Sequence, residues 1–195
     1  LRMRSRWPQN FAVALIPLAP RRRPYRYDLV WKKTRASGYL NARKAPLRAH
    51  ESIFVFGGTG YTPSFTRGHV PMNAATRISK SELYGVERVT HSKAGNTDRY
   101  HTSVLSFPCV PNDKRNGPRI HASQKPVALL RWLVRAYSKP GDLVADPTCG
   151  SGSTIHAARD EGRVGIGWDV HEPTVIAARR WLDASRTLFH DGAIA

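Results

Sequence analysis

Acidic residues are scarce in this sequence. Against 31 Lys and Arg stand only 14 Asp and Glu in 195 residues, a formal net charge of +17. Such an imbalance favours a polyanionic partner, with nucleic acid ahead of an anionic membrane. Two further absences count against the membrane, because the chain has neither a long apolar run nor a basic amphipathic helix. Cysteine is nearly missing as well: Cys109 and Cys149 are the only two. So placed, they make neither a disulfide framework nor a zinc site, so no metal is expected and a reduced, cytoplasmic setting follows. No secretory leader is read near the start, since the apolar stretch from Phe11 to Leu18 is interrupted by Pro17 and lacks a small-residue cleavage pattern. The length allows one good-sized core and is short for two α/β domains, so a single domain over residues 1–195 with an insertion is expected.

What is present centres on Leu143-Val-Ala-Asp-Pro-Thr-Cys-Gly-Ser-Gly-Ser-Thr-Ile155. Its apolar front reads as a buried parallel strand closed by Asp146-Pro147. Gly150 and Gly152 then allow the backbone to approach a ligand, and the helix opening at Ser153-Thr154 offers unpaired N–H groups. Val164-Gly-Ile-Gly-Trp-Asp169 is a second short strand. Its acid follows the turn by about twenty residues, the spacing at which a carboxylate meets ribose hydroxyls. The turn is not G-x-G-x-x-G, and Asp146 before it would repel phosphates, so a ligand with hydroxyls or a positive group fits better.

Three ordered blocks, His121-Ala-Ser-Gln-Lys-Pro126, Lys139 to Thr154 and Gly162 to Asp169, resemble the permuted DNA amino-methyltransferases that use S-adenosylmethionine. Tyr27-Asp-Leu-Val-Trp-Lys-Lys33 and His50-Glu-Ser-Ile-Phe-Val-Phe56 resemble later sheet strands of the same family, and the matches cover most of residues 25 to 182. Asn96 to Tyr100 and Ser103 to Phe107 resemble the variable region of phage-associated members. The resemblance implies an α/β, Rossmann-like fold and transfer of a methyl group to adenine N6 first, or cytosine N4 second, in double-stranded DNA. It further implies that Asp146, Pro147, Thr148, Gly150, Ser151, Gly152 and Ser153 hold the methionine and ribose parts of the cofactor, that Asp169 accepts from ribose hydroxyls, and that His121, Gln124 and Lys125 sit at the amino-acid end. There Lys125 can pair with the cofactor carboxylate.

Taken in order, residues 1–24 are rich in Arg and Pro and match the family poorly. Two strands are expected at Tyr27–Trp31 and His50–Phe56, with a basic loop through Lys32, Lys33 and Arg35 between them. Residues 61–120 lose periodicity and read as a variable basic insertion. Its Arg67, Arg77, Lys80 and Arg99 alternate with aromatics, a pattern that suits a DNA-facing surface and equally a solvated polar insertion, and the resemblance implies that this region selects the target sequence. A helix is expected from Pro126 to Tyr137 on the stripe Val127, Leu129, Leu130, Leu133, Val134 and Tyr137. Later helices are expected over Ser153–Arg159 and Pro173–Leu182.

One part of the family pattern is missing. The [D/N/S]-P-P-[Y/F/W] segment that accepts hydrogen bonds from the target amino group occurs nowhere in the chain. Its nearest echo, Arg23-Pro24-Tyr25, has an arginine where an acceptor is needed, and arginine has no acceptor lone pair. No catalytic residue is therefore assigned. The Leu1 start is read as the mark of a fragment or of an alternative start codon. In the family the catalytic strand lies between the Leu143 and Tyr27 strands, so its absence is expected to leave two sheet edges open. Phe11–Ile16 is expected to fill that gap only irregularly or antiparallel, unless a partner strand or a second copy fills it. Two other readings stay open: a catalytically inactive remnant that binds cofactor or DNA, and a basic DNA-binding protein without cofactor.

Overall fold

The computed structural model describes residues 14–58, 60–81, 86–111, 119–121 and 123–190; the side chains of residues 77–81, 86–88, 90 and 186–190 lie outside the description. Two compact units form, one from residues up to 62 and from 103 onward, the other from Pro63–Thr102.

In the larger unit, β1 (Tyr25–Ser37) and β2 (Arg48–Phe56) form an antiparallel pair, with Leu29 opposite Ile53 and Trp31 opposite Glu51. The expected basic loop is thus strand: β1 continues through Lys32, Lys33 and Arg35 to Ser37. Of the Phe11–Ile16 stretch, residues 14–15 are helical and Ile16 opens a 3-10 turn (Ile16–Leu18) with Pro17 in its first turn, so the described part is not a strand; residues 11–13 lie outside the described residues.

The smaller unit holds β3 (Phe65–Thr66), β4 (Ala75–Ser81), β5 (Val86–Ser92) and β6 (Arg99–Tyr100). They form two antiparallel pairs, β3 with β6 and β4 with β5. The Phe65 and Tyr100 rings meet at 4.6 Å.

Back in the larger unit, β7 (Val104–Ser106) runs parallel to β1 on the side away from β2. Next comes α1 (Val127–Tyr137), which has Pro126 in extended conformation at its N-cap. Leu29, Trp31 and Leu105 from the strands pack with Leu129, Trp132 and Ala136 from α1 as the core. Trp132 and Ala136 lie outside the stripe expected for this helix, yet they are buried in this core with the strand residues; α1 also packs against α2 (Ser153–Asp160). Arg131 and Arg135 stay exposed and share Glu161, at 2.6 and 3.4 Å.

The second sheet is the parallel pair β8 (Leu143–Asp146) and β9 (Val164–Gly167). α2 lies so close to it that a Cβ on Gly165 would stand 3.0 Å from Ile155 and one on Gly167 would stand 2.7 Å from the Cβ of Cys149. A second side chain has no room there, which explains the Gly-x-Gly strand. α3 (Glu172–His190) follows, with Leu182 and Ala178 against the Gly152 turn. Parallel sheets normally have both faces covered. Here one face of the pair is open: Leu143, Val164 and Ile166 are 65%, 59% and 41% exposed.

The two sheets also leave facing edges unpaired, on β8 and on β2: the Tyr27 strand has β2 and β7 on its two sides, so the gap expected beside it lies beside β2 instead. The Val30 N–H donates to Ser103 O at 2.8 Å, so the backbone groups of Leu29 and Trp31 turn to β2. By the antiparallel alternation, those of Ser52 and Phe54 then point away from β1. On β8, Asp142 O and Asp146 O accept from Val164 and Trp168, which leaves Leu143 and Ala145 directed to the opposite edge. Among the described residues no strand pairs with either edge. Both strands line one apolar hollow of about 540 Å³, with Leu130, Leu133, Val134 and Tyr137 of α1 along its wall.

Candidate ligand-binding site

The turn after β8 is built from its own backbone. The Asp146 carboxylate accepts the Thr148 N–H at 3.0 Å, Cys149 donates to Trp168 O at 2.8 Å, and Gly152 donates to Cys149 O at 2.8 Å. Gly150 and Gly152 have φ of 48° and 77°, the left-handed region where a side chain is strained. Gly152 is at once the N-cap of α2 and the point where α3 packs.

Asp169 sits against this turn. One carboxylate oxygen accepts the Gly150 N–H at 2.9 Å and the other accepts the His171 N–H at 3.0 Å. These two bonds, from His171 first and Gly150 second, hold its carboxyl below the usual carboxylate range. Each oxygen keeps a lone pair, so Asp169 can still accept from a ligand hydroxyl. His121 closes the other side, with its Nδ1 3.5 Å from where a Gly150 Cβ would stand and accepting the Ser123 N–H at 3.2 Å.

The remaining expected residues divide into two groups. Pro147 and Thr148 are exposed at the mouth of the turn. Gly150, Ser151, Gly152 and Ser153 are buried, and the two serine hydroxyls bond each other at 2.8 Å. Burial, then Asp146 and Asp169, push the Cys149 thiol upward, which favours its protonated form.

Gln124 and Lys125 lie in a neighbouring hollow of about 400 Å³ shared with Trp31, Lys33, Arg35 and Arg119. Gln124 braces the backbone by accepting the Ile120 N–H at 3.1 Å. Lys125 is already paired: its Nζ lies 2.8 Å from Glu51 Oε2. Lys33 approaches the other oxygen of Glu51 at 3.6 Å, its side chain only 9% exposed. The three groups together carry one net positive charge, so a carboxylate entering here would meet two cations and one competing anion. Glu51 was not foreseen as a site residue, and its partner Lys125 stands 74 positions away, beyond any local pattern. Trp168, 54% exposed beside Asp169, is a second addition that its place next to the acid could have flagged.

Of the expected DNA-facing residues, Lys32, Arg35 and Arg67 are exposed. Lys33 instead turns inward on Glu51 and Ser37, at 3.6 and 3.0 Å. Arg99 spends its guanidinium on the carbonyls of Asn96, Asp98 and Val70, bracing the smaller unit. Arg77 and Lys80 belong to β4, and their side chains lie outside the description. Among the described residues, no helix is long and apolar enough to cross a membrane.

Comparison with known proteins bears on the same segments. The profile of a family described as DNA methylase, of the N6/N4 type, matches residues 23–180. The chain is similar to the type II methyltransferase M.HpaI of Haemophilus parainfluenzae, with 38% identity over 65% of this chain and 42% of that protein. It is also similar to the type II methyltransferase M.HinfI of Haemophilus influenzae, with 29% identity over 80% of this chain and 38% of that protein. The chain therefore spans about two fifths of the length of these relatives. A solved structure of M1.HpyAVI in complex with SAM shares the fold, with a TM-score of 0.53, 15% identity, and coverage of 90% of this chain and 69% of that one. A profile match over more than half of the sequence places the chain plainly: it belongs to the N6/N4 DNA methylase family.

Proposed function

We propose that this chain is the methyl-donor-binding part of a site-specific DNA methyltransferase, with S-adenosylmethionine as donor and an exocyclic base nitrogen as acceptor, adenine N6 first and cytosine N4 second. The observation that carries the reading is the Asp169 carboxylate fastened to the Gly150 amide at 2.9 Å. It puts an ionised, partly open acceptor beside a glycine turn at the carboxyl ends of two parallel strands, where α/β sheets bind nucleosides. The SAM complex of M1.HpyAVI, which shares the fold, supports the choice of donor. When bound, that donor supplies an electrophilic methyl group on a sulfonium centre.

In this reading Asp169 orients the donor by accepting from its ribose hydroxyls, with Pro147, Thr148 and His121 shaping the mouth. The buried Gly150, Ser151, Gly152 and Ser153 set the shape of the turn, and Asp146 pins its first bend. Lys125, shared with Glu51, offers a cation to the donor's carboxylate, and Gln124 holds the segment in place. Lys32, Arg35, Arg67, Arg77 and Lys80 supply charge toward double-stranded DNA, within a cytoplasmic protein. The group that accepts from the target amino nitrogen comes from further polypeptide, whose strand enters the hollow between the free edges of β2 and β8.

Incubation with labelled donor and unmethylated DNA tests the reading. Donor binding without transfer by this chain, and transfer once the missing strand is supplied, is the expected result. Transfer by the chain alone would overturn the proposal that the acceptor group comes from elsewhere.

A further inference from the structure

Between Asp28 and Glu51 the sequence holds no acid, while Lys32, Lys33, Arg35, Arg43, Lys44 and Arg48 all fall inside that interval. Its middle is the turn between β1 and β2. Gly38 reverses the chain at φ 97°, with open space where its side chain would be. Tyr39–Asn41 then forms a 3-10 turn, and the N–H groups of Asn41, Ala42, Lys44 and Ala45 bond back to Gly38, Tyr39 and Asn41 at 2.8 to 3.1 Å. The tip therefore has a backbone fixed by its own hydrogen bonds.

On this tip Tyr39 is 75% exposed and Leu40 is 101% exposed. A single exposed apolar residue is ordinary. Here an aromatic and a leucine stand side by side on a pre-ordered turn, and Arg35, Arg43 and Lys44 around them are exposed as well. Arg35 and Ser37, which lead into the turn, also line the hollow that contains Gln124 and Lys125. The tip thus rises from the rim of the candidate site.

Apolar side chains that enter DNA between base steps unstack them and kink the duplex, while neighbouring cations neutralise the phosphates on either side. An enzyme that modifies a base nitrogen must take that base out of the stack, and unstacking beside it lowers the cost. We propose that Tyr39 and Leu40 form a wedge that enters duplex DNA next to the target base, with Arg43 and Lys44 holding the flanking phosphates. The inference rests on the DNA-modifying reading and adds to it the element that opens the duplex.

The test uses a duplex oligonucleotide with 2-aminopurine at a central mismatch, whose fluorescence rises on unstacking, and anisotropy titrations at several salt concentrations. The whole chain should bind and raise the fluorescence. Tyr39→Ser with Leu40→Ser should weaken binding about tenfold, abolish the fluorescence rise and leave the salt dependence unchanged. Arg43→Ala with Lys44→Ala should make the slope of log affinity against log salt shallower by about two. An unchanged melting temperature confirms that each variant is folded. Retained affinity and fluorescence in the Tyr39/Leu40 variant would overturn the wedge alone, whereas no duplex binding by the unaltered chain would sink the DNA-modifying reading with it. Tighter binding to anionic phospholipid vesicles than to the duplex, lost in the same variant, would assign the tip to a membrane and refute the proposal.

Discussion

The Asp169 carboxylate and the Gly150 amide are 2.9 Å apart, joining the end of β9 to the turn that follows β8. This bond ties the two parallel strands at the ends where a ligand would sit, and a second bond from His171 fixes the carboxylate's orientation. Both donors favour the ionised form.

A pH dependence follows. The folded carboxyl titrates below the ordinary range while the unfolded one titrates near pH 4, so the contribution of Asp169 is fully present above about pH 4. It is lost as pH falls through the lower, folded value. The Gly150 and His171 amide resonances should move together in an acid titration, with a midpoint below that of an unstructured aspartate. A midpoint at or above the unstructured value would show that the two bonds do not stabilise the charge.

Gly167→Ala places a Cβ 2.7 Å from that of Cys149. Neither backbone can yield without shifting α2 off the strand, so the variant should lose about 1–3 kcal/mol of stability in denaturant unfolding. Gly58→Ala, whose added Cβ meets nothing within 4 Å, isolates the conformational cost of a positive φ. It should cost about 1–2 kcal/mol. Gly167 has no positive φ, so an unchanged stability in Gly167→Ala would mean that close packing there contributes nothing.

Removing Glu51 should destabilise the chain through Lys33, whose side chain is only 9% exposed. Breaking a fully buried pair costs about 3–5 kcal/mol, and the partial exposure of Glu51 lowers the expectation for Glu51→Ala to about 2 kcal/mol. Adding Lys33→Met should recover part of that loss, because the unpaired charge is gone. Lys125→Ala, at a more exposed partner, should cost less than about 1 kcal/mol. A Glu51→Ala variant as stable as the parent would show that the cluster is not holding the fold.

The open edges make a prediction of their own. The Ser52, Phe54 and Ala145 amides point away from their paired strands and should exchange with deuterium faster than those of Ile53 and Val55, which face β1. Supplying the strand that fills the hollow should slow the fast set selectively. Equal protection of both sets in the chain alone would mean that the edges are already covered.

Much of the site could be read in the sequence because its determinants are local. The spacing from Gly150 to Asp169 is that of one strand–turn–helix–strand unit, which the structure closes with the Gly150–Asp169 bond beside the backbone bonds of Trp168 to Cys149 and Asp146. The α1 stripe was legible in part: Leu129 packs on the strands as expected, while Trp132 and Ala136, which share that core with Leu29, Trp31 and Leu105, fell outside the stripe. The contact of Lys33 with Glu51 was missed by treating the segment after Trp31 as a loop, where the structure has strand. Had the strand's alternation been continued from Leu29 and Trp31, it would have turned Lys33 inward. Nothing local pairs Glu51 with Lys125, since that contact arises only when β2 and the start of α1 meet.

The central claim is that the turn at Gly150 and the carboxylate of Asp169 form a seat for a nucleoside methyl donor. Titration calorimetry with S-adenosylhomocysteine tests it directly, comparing the unaltered chain with Asp169→Ala. The account predicts saturable binding to the unaltered chain, weakened at least about tenfold by a substitution that removes a charged acceptor of hydroxyl hydrogen bonds. No binding to either chain, or equal binding to both, would contradict it.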